Sequence, residues 1–235
     1  MSRHVVITGA SSGIGKATAE MLHDKGYSLT LISRSEDKLK ALSIANSDRV
    51  LIGSGSVLDY GAMHAIVEQS VAKFGGVDVL LNNAGLGYFD VLSEGKIEEW
   101  QEMIDTNVKG VLNLLHICLP HLIQRKGHVV NLGSVASHHV FPESGIYCAS
   151  KWALRAISES IRVDLKDQVS VTTISPGQVD TNFVNVMSNE KLKEKLAPVF
   201  RDGLTPESIA ESILFAIEMD EKSAISEVII RPRLK

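Results

Sequence analysis

The sequence predicts an α/β protein: a doubly wound parallel sheet with helices on both faces. Three observations carry this. Short apolar, β-branched runs alternate with helical patterns from end to end. The first such run, His4 to Thr8, leads straight into a glycine-rich turn and a helix. The 235 residues suffice for one large core, with no linker, repeat or low-complexity segment to divide them. A single domain over residues 1–235 is therefore expected.

The turn after the first strand reads Gly9, Ala10, Ser11, Ser12, Gly13, Ile14, Gly15, and a helical pattern continues to about Lys25. Strand, glycine turn and helix in this order are what phosphate binding requires. Glycines let the backbone approach the ligand, and the helix N-terminus offers unpaired N–H groups to a pyrophosphate. The spacing is G-x-x-x-G-x-G rather than the commoner G-x-G-x-x-G. The second strand, Ser28 to Ser33, ends in Ser33-Arg34-Ser35. An acidic residue at that end would bind the ribose 2′-hydroxyl of NAD, whereas the Arg34 fork suits a 2′-phosphate, so the expected cofactor is NADP(H). The alternative is a solvated loop arginine. Lys38, close by on a helical pattern, reads as surface.

A third strand covers Arg49 to Gly53, followed by a helix over about 60–74 with Asp59 as its N-cap. The fourth, Val77 to Leu81, is closed by Asn82-Asn83-Ala84-Gly85, where a plain Asn/Gly turn accounts for the tetrapeptide equally well. The longest helical stretch runs from Ile97 to Arg125, with apolar residues at helical spacing and Asn107 in its middle. A buried asparagine needs partners, so Asn107 marks a local break in the helix or faces a wet site. Val129 to Leu132 is the fifth strand and delivers Ser134. His138 and His139 follow and are placed on the rim of the site, since adjacent histidines point apart and no ligand spacing supports a metal. A helix is expected from Tyr147 to Lys166 and a sixth strand from Val169 to Ile174. Then come Pro176, Gly177, Val179 and Thr181, a polar flap over about 182–202, a helix from Thr205-Pro206 to Met219, and a last strand from Ser226 to Arg231.

Tyr147 and Lys151, four apart on one helix, share a face. A lysine ammonium beside a phenol lowers its pKa from about 10, and the Ser134 hydroxyl can hold the oxygen of an alcohol or carbonyl. Proton donor, electrostatic tuner and orienting hydrogen bond are thus in hand.

Composition bounds the alternatives. Hydrophobic residues at 44%, charged residues at 22% and a net charge of -4 describe an ordinary globular chain without a strongly basic nucleic-acid surface. No apolar run reaches membrane-spanning length, no signal peptide precedes the first strand, and Cys118 and Cys148 lack paired spacing. A cytoplasmic protein with reduced thiols is expected. Cys148 as a nucleophile lacks a histidine partner, and packing outweighs that reading.

These motifs together resemble the short-chain dehydrogenase/reductase family. The resemblance lies in Thr8-Gly9-x-x-x-Gly13-Ile14-Gly15, Asn82-Asn83-Ala84-Gly85, Asn107, Ser134, Tyr147 and Lys151, and Pro176-Gly177-x-Val179-x-Thr181, in family order over residues 8–181. It implies a Rossmann-like sheet of seven parallel strands in the order 3-2-1-4-5-6-7. It also implies a catalytic tetrad of Asn107, Ser134, Tyr147 and Lys151. Gly9, Ser11, Ser12, Gly13, Ile14 and Gly15 would frame the pyrophosphate, Asn83 with Ala84 and Gly85 would support the adenosine side, and Pro176, Gly177, Val179 and Thr181 would receive the carboxamide. Tyr147 would be the general acid/base, Lys151 would also bind the nicotinamide ribose, and Asn107 would hold a water linked to Lys151. Two departures affect the cofactor. Ser56, followed by Val57, occupies the slot where the family often has an aspartate near the adenine, and Ser12 replaces the basic residue sometimes found in the glycine turn.

The expected activity is hydride transfer between NADP(H) and a carbonyl or secondary alcohol, of carbonyl reductase type. NAD-linked alcohol oxidation and a non-catalytic NADP-binding sensor are the alternatives. Leu86, Tyr88, Phe89, Val140, Phe141 and Phe183 suggest an apolar pocket for a small-molecule substrate. Pairing of the two long helices, as the resemblance implies, gives a homodimer or homotetramer.

Overall fold

The computed structural model describes residues 2–220 and 223–233. The ends of the expected 1–235 domain, Met1, Leu234 and Lys235, lie outside the described residues, as do Glu221 and Lys222. Seven strands form one parallel sheet: β1 (His4–Thr8), β2 (Ser28–Ser33), β3 (Val50–Ser54), β4 (Val79–Asn82), β5 (His128–Leu132), β6 (Ser170–Pro176) and β7 (Glu227–Ile230). Their order is β3-β2-β1-β4-β5-β6-β7, as the resemblance implies, with every pair parallel. The helices are α1 (Gly13–Asp24), α2 (Glu36–Lys40), α3 (Tyr60–Phe74), α4 (Ile97–Ile104), α5 (Gly110–Arg125), α6 (Gly145–Asp164), α7 (Glu190–Arg201) and α8 (Pro206–Ile217).

A parallel sheet is covered on both faces, so its strands read as continuous apolar runs. β1 is buried throughout. Val5 and Ile7 face the layer that holds Leu22, Ile209 and Ile213, whereas Val6 faces Met63, Leu114, Cys118 and Leu154. Each such fully buried aliphatic side chain contributes roughly 1.5–3 kcal/mol. The caps follow the sequence expectation: the Asp59 carboxylate accepts from Ala62 N at 3.0 Å and the Thr205 hydroxyl from Ser208 N at 3.2 Å.

Buried histidines join the strands at the edge opposite the cleft. The Thr172 hydroxyl donates its proton to Ile225 O at 2.6 Å, so the His128 ring donates through Nε2 to Thr172 Oγ1 at 2.8 Å. His4 donates through Nδ1 to Gly76 O at 2.5 Å and accepts from Thr30 at Nε2. Burial lowers both imidazoles, His128 to about 4.

The expected long helix is interrupted: α4 ends at Ile104, a π-helical turn covers Asp105–Lys109, and α5 resumes at Gly110. Asn107 sits in that turn, 1% exposed, so the break is where the buried asparagine placed it. The segment over 182–202, read from sequence as a polar flap, contains a 3₁₀ turn (Asn182–Val186) and α7. Val184, Met187 and Leu192 form a small core of its own, packed with Phe89, Leu196 and Phe200. No described helix is long and apolar enough to cross a membrane.

Candidate active site

At the carboxyl ends of β1, β2, β4, β5 and β6 lies one continuous cleft of about 710 Å³, where doubly wound sheets bind ligands. One end is lined by the glycine turn and by Arg34 and Lys38, the middle by Ser134, Tyr147 and Lys151, and the other end by Phe89, Phe183 and Phe200. Lys38, read as surface from sequence, lines the cleft because α2 is a short helix that starts two residues after Arg34, with Ser35 as its N-cap.

The glycine turn is built for close approach. Gly9 (φ 66°) and Gly13 (φ 52°) have backbones that other residues rarely adopt. Ser12, the N-cap of α1, makes no side-chain cap bond, so the first N–H groups of the helix face the cleft without a local acceptor. This is an anion cradle, and it fits the pyrophosphate of a dinucleotide. Ser11 and Ser33 share a 2.7 Å hydrogen bond that ties the turn to the end of β2. Asn83 supports the turn from behind: its amide donates to Thr8 O at 2.8 Å and Gly9 O at 3.2 Å. The Thr8 hydroxyl accepts from Asn83 N and Ala84 N, both at 3.0 Å. Gly15 lies behind the turn rather than in the cleft wall, where a Cβ would strike Gly9 O and Asn83 Nδ2. Gly9, Ser11, Ser12, Gly13, Ile14, Asn83, Ala84, Gly85, Pro176, Gly177, Val179 and Thr181 all line the cleft.

Arg34 is 73% exposed and its guanidinium lies 4.0 Å from Glu102. Tyr88 donates to the other Glu102 oxygen at 2.7 Å, and burial with that bond pushes the Tyr88 phenol up to about 12. Ser56 lines the cleft beside Val57, its hydroxyl turned back to accept from Leu58 N at 3.3 Å.

The structure brings Ser134, Tyr147 and Lys151 to one wall, but it reverses the expected direction of the Tyr147 shift. Burial pushes the phenol up to about 12, and the hydrogen bond with Ser134 pulls it only partly back. Lys151 does not offset this. Its Nζ lies 5.8 Å from the centre of the tyrosine ring and donates to Leu132 O at 2.7 Å. It is 6% exposed, and desolvation lowers it to about 8.

Asn107 stands behind the cleft wall. Its amide accepts from Leu86 N at 2.9 Å and donates to Leu86 O at 2.9 Å and Ser150 Oγ at 3.0 Å. Ser150 in turn donates to Tyr147 O at 2.7 Å. Asn107 thus fixes the loop after β4 to the tyrosine's helix. Ser150 was missed from sequence, although a serine three residues after Tyr147 on the same helix was a signal for it. Gly85 lies between these groups, a Cβ there falling 3.1 Å from Asn107 Oδ1 and 3.7 Å from Lys151 Nζ.

Other expectations need correction. His138 is not on the rim: it turns to β7, where its Nε2 meets Glu227 Oε1 at 2.7 Å. Neither His138, His139 nor Val140 lines the cleft, because the chain turns outward there and leaves Val140 70% exposed. Cys118 and Cys148 are buried free thiols, and among the described residues no cluster could hold a metal ion.

A parallel sheet of this order, with an anion cradle and a buried phenol in one cleft, defines a dinucleotide-dependent oxidoreductase. Residues 3–192 match the short chain dehydrogenase family, and the chain belongs to it. An uncharacterised oxidoreductase of Staphylococcus saprophyticus is 40% identical over 97% of this chain and 95% of its own. An alcohol dehydrogenase from the archaeon Thermococcus sibiricus, solved with 5-hydroxy-NADP, is 32% identical with a TM-score of 0.87 over 100% of both chains. The closed form of serine dehydrogenase complexed with NADP+ is 29% identical, with a TM-score of 0.91 over 97% of this chain and 94% of that one.

Proposed function

We propose that the protein is an NADP-dependent carbonyl reductase whose single domain carries the whole reaction in this cleft, with NAD-linked alcohol oxidation as the competing assignment. The observation that carries the reading is the continuity of the cleft, which joins the glycine cradle to the wall of Ser134, Tyr147 and Lys151. Gly9, Gly13 and the α1 N-terminus hold the pyrophosphate, Asn83 stiffens that turn, Arg34 and Lys38 take the 2′-phosphate, and Pro176, Gly177, Val179 and Thr181 meet the carboxamide. When bound, a reduced nicotinamide would supply hydride to a carbonyl carbon. Tyr147 delivers the proton to the carbonyl oxygen, which Ser134 holds by a hydrogen bond. Because burial keeps the phenol protonated at neutral pH, it is an acid ready for reduction. Lys151, seated on Leu132 O, would hold the nicotinamide ribose. Asn107 positions Tyr147 through Ser150. The partners of this reading are a small carbonyl or alcohol compound and a second copy of the chain. Exposed Leu112 on α5, with Trp152 and Val163 on α6, supports that assembly.

The direct test is NADPH oxidation against a panel of ketones, aldehydes and 3-oxo esters. Turnover is expected; saturable NADPH binding with silence across the panel would favour a sensor. Two further results are expected. Arg34→Ala weakens NADPH binding about tenfold and leaves NADH binding near its parent value, since one charge-assisted contact is lost; equal effects on both would refute the 2′-phosphate assignment. The pH profile of kcat/KM for reduction falls as pH rises through about 8, where Lys151 loses its proton. A profile flat to about pH 10 would contradict a charged Lys151 in the reaction.

A further inference from the structure

Beyond Tyr147 the cleft becomes aromatic. Tyr147 lies 5.5 Å, centre to centre, from both Phe89 and Phe183, and Phe183 stacks on Phe200 at 5.9 Å. Gly87 makes this possible, for a Cβ there would sit 2.6 Å from Phe183 Cζ and 3.1 Å from Tyr147 Cδ2.

The charged side chains among the described lining residues are Arg34, Lys38, Glu102, Glu143 and Lys151. The first three gather at the β2 end, and Lys151 is turned to Leu132 O. Glu143 is the charge that faces α7, the helix that brings Phe200 and Leu196 to the wall. Its placement is fixed by the fold. It holds φ at 64°, uncommon for a residue with a side chain, and its carbonyl accepts from Asp90 N at 2.7 Å. Its side chain is 27% exposed, and both carboxylate oxygens receive Lys195 Nζ of α7, at 3.3 and 3.4 Å. An ammonium group therefore already rests there. That lysine is 63% exposed on a flexible stem, and such pairs are weak enough to exchange. Aromatic faces add negative potential, which attracts cations and most strongly those stripped of water. The aromatic end thus favours a positive group and disfavours a carboxylate.

We propose that the substrate end takes a carbonyl or alcohol compound bearing an ammonium group, with Glu143 as the residue that selects for it. This rests on the hydride-transfer reading. The test compares kcat/KM for trimethylammonioacetone and for its all-carbon isostere, neopentyl methyl ketone, with NADPH. The ammonium group also activates the carbonyl, so the readout is how the ratio changes between proteins. Glu143→Gln should lower the charged-to-neutral ratio about tenfold, the scale of a partly buried charge contact. Lys195→Met should raise it several-fold, because the resident ammonium no longer competes. A ratio unchanged in Glu143→Gln overturns the proposal. So does a fall in Lys195→Met, which would make the pair a strap between walls rather than a seat. Should Glu143→Gln not fold, Lys195→Met decides alone: a raised ratio supports the proposal, and an unchanged or lowered one overturns it. Failure of the wild type to reduce either ketone would instead overturn the hydride-transfer reading beneath it.

Discussion

Tyr147→Phe is expected to bind NADPH as the parent protein does and to reduce ketones at least about a hundredfold more slowly, the loss that follows when a positioned general acid is removed. The substitution deletes one hydroxyl and little shape. The ring keeps its contacts with Phe89 and Phe183, so the aromatic wall and the cradle remain. What disappears is a proton held at neutral pH by a phenol raised to about 12. Ser134 is no substitute, because its hydroxyl already accepts from Ala136 N at 3.1 Å and has no base behind it. Stopped-flow NADPH oxidation, with cofactor affinity measured in parallel, checks this. Turnover within a few-fold of the parent would remove Tyr147 from the reaction.

The second large effect is on stability in acid. His128 is held neutral by burial, with its proton on Nε2 committed to Thr172. Its folded pKa of about 4 lies below the ordinary 6.5. The stability tied to this group is complete above pH 6.5 and is lost as pH falls toward 4, because the unfolded chain accepts a proton that the folded chain refuses. The full difference is about 3 kcal/mol. His4 adds a shift of the same direction. Urea midpoints measured between about pH 7.5 and pH 4.5 should therefore fall less in His128→Gln, which retains a donor toward Thr172, than in the parent. Identical pH dependence in the two proteins would show that His128 does not carry the effect.

Neither histidine was legible as a stability element, and the reason is physical. His4 and His128 open strands, and only the register of β1 with β2 and of β5 with β6 brings Thr30 and Thr172 into reach. The fold itself was legible, because period and punctuation are local: β-branched runs, glycine turns, Asp59 and Thr205 as caps. The candidate site residues could be proposed from sequence for the same reason, since Tyr147 and Lys151 are neighbours on one helix and Gly9 to Gly15 are contiguous. What escaped was long-range geometry. Lys38 looked like surface until α2 was placed beside the cleft, and His138 looked like rim until β7 supplied Glu227. The direction of the Tyr147 shift failed on the balance of burial against charge. Lys151 spends its ammonium on Leu132 O, a partner delivered by β5 and invisible in the spacing Tyr-x-x-x-Lys.

Hydride transfer in this cleft would leave a label that can be followed from cofactor to product. NADPH carrying deuterium at the transferring carbon, in separate samples of each face, should be incubated with the wild-type protein and the ketone panel, and the products read by mass spectrometry. One deuterium at the carbinol carbon, from one face only and appearing at least about a hundredfold more slowly with Tyr147→Phe, is the predicted result. Bound NADPH that delivers no label to any carbonyl in the panel would contradict it.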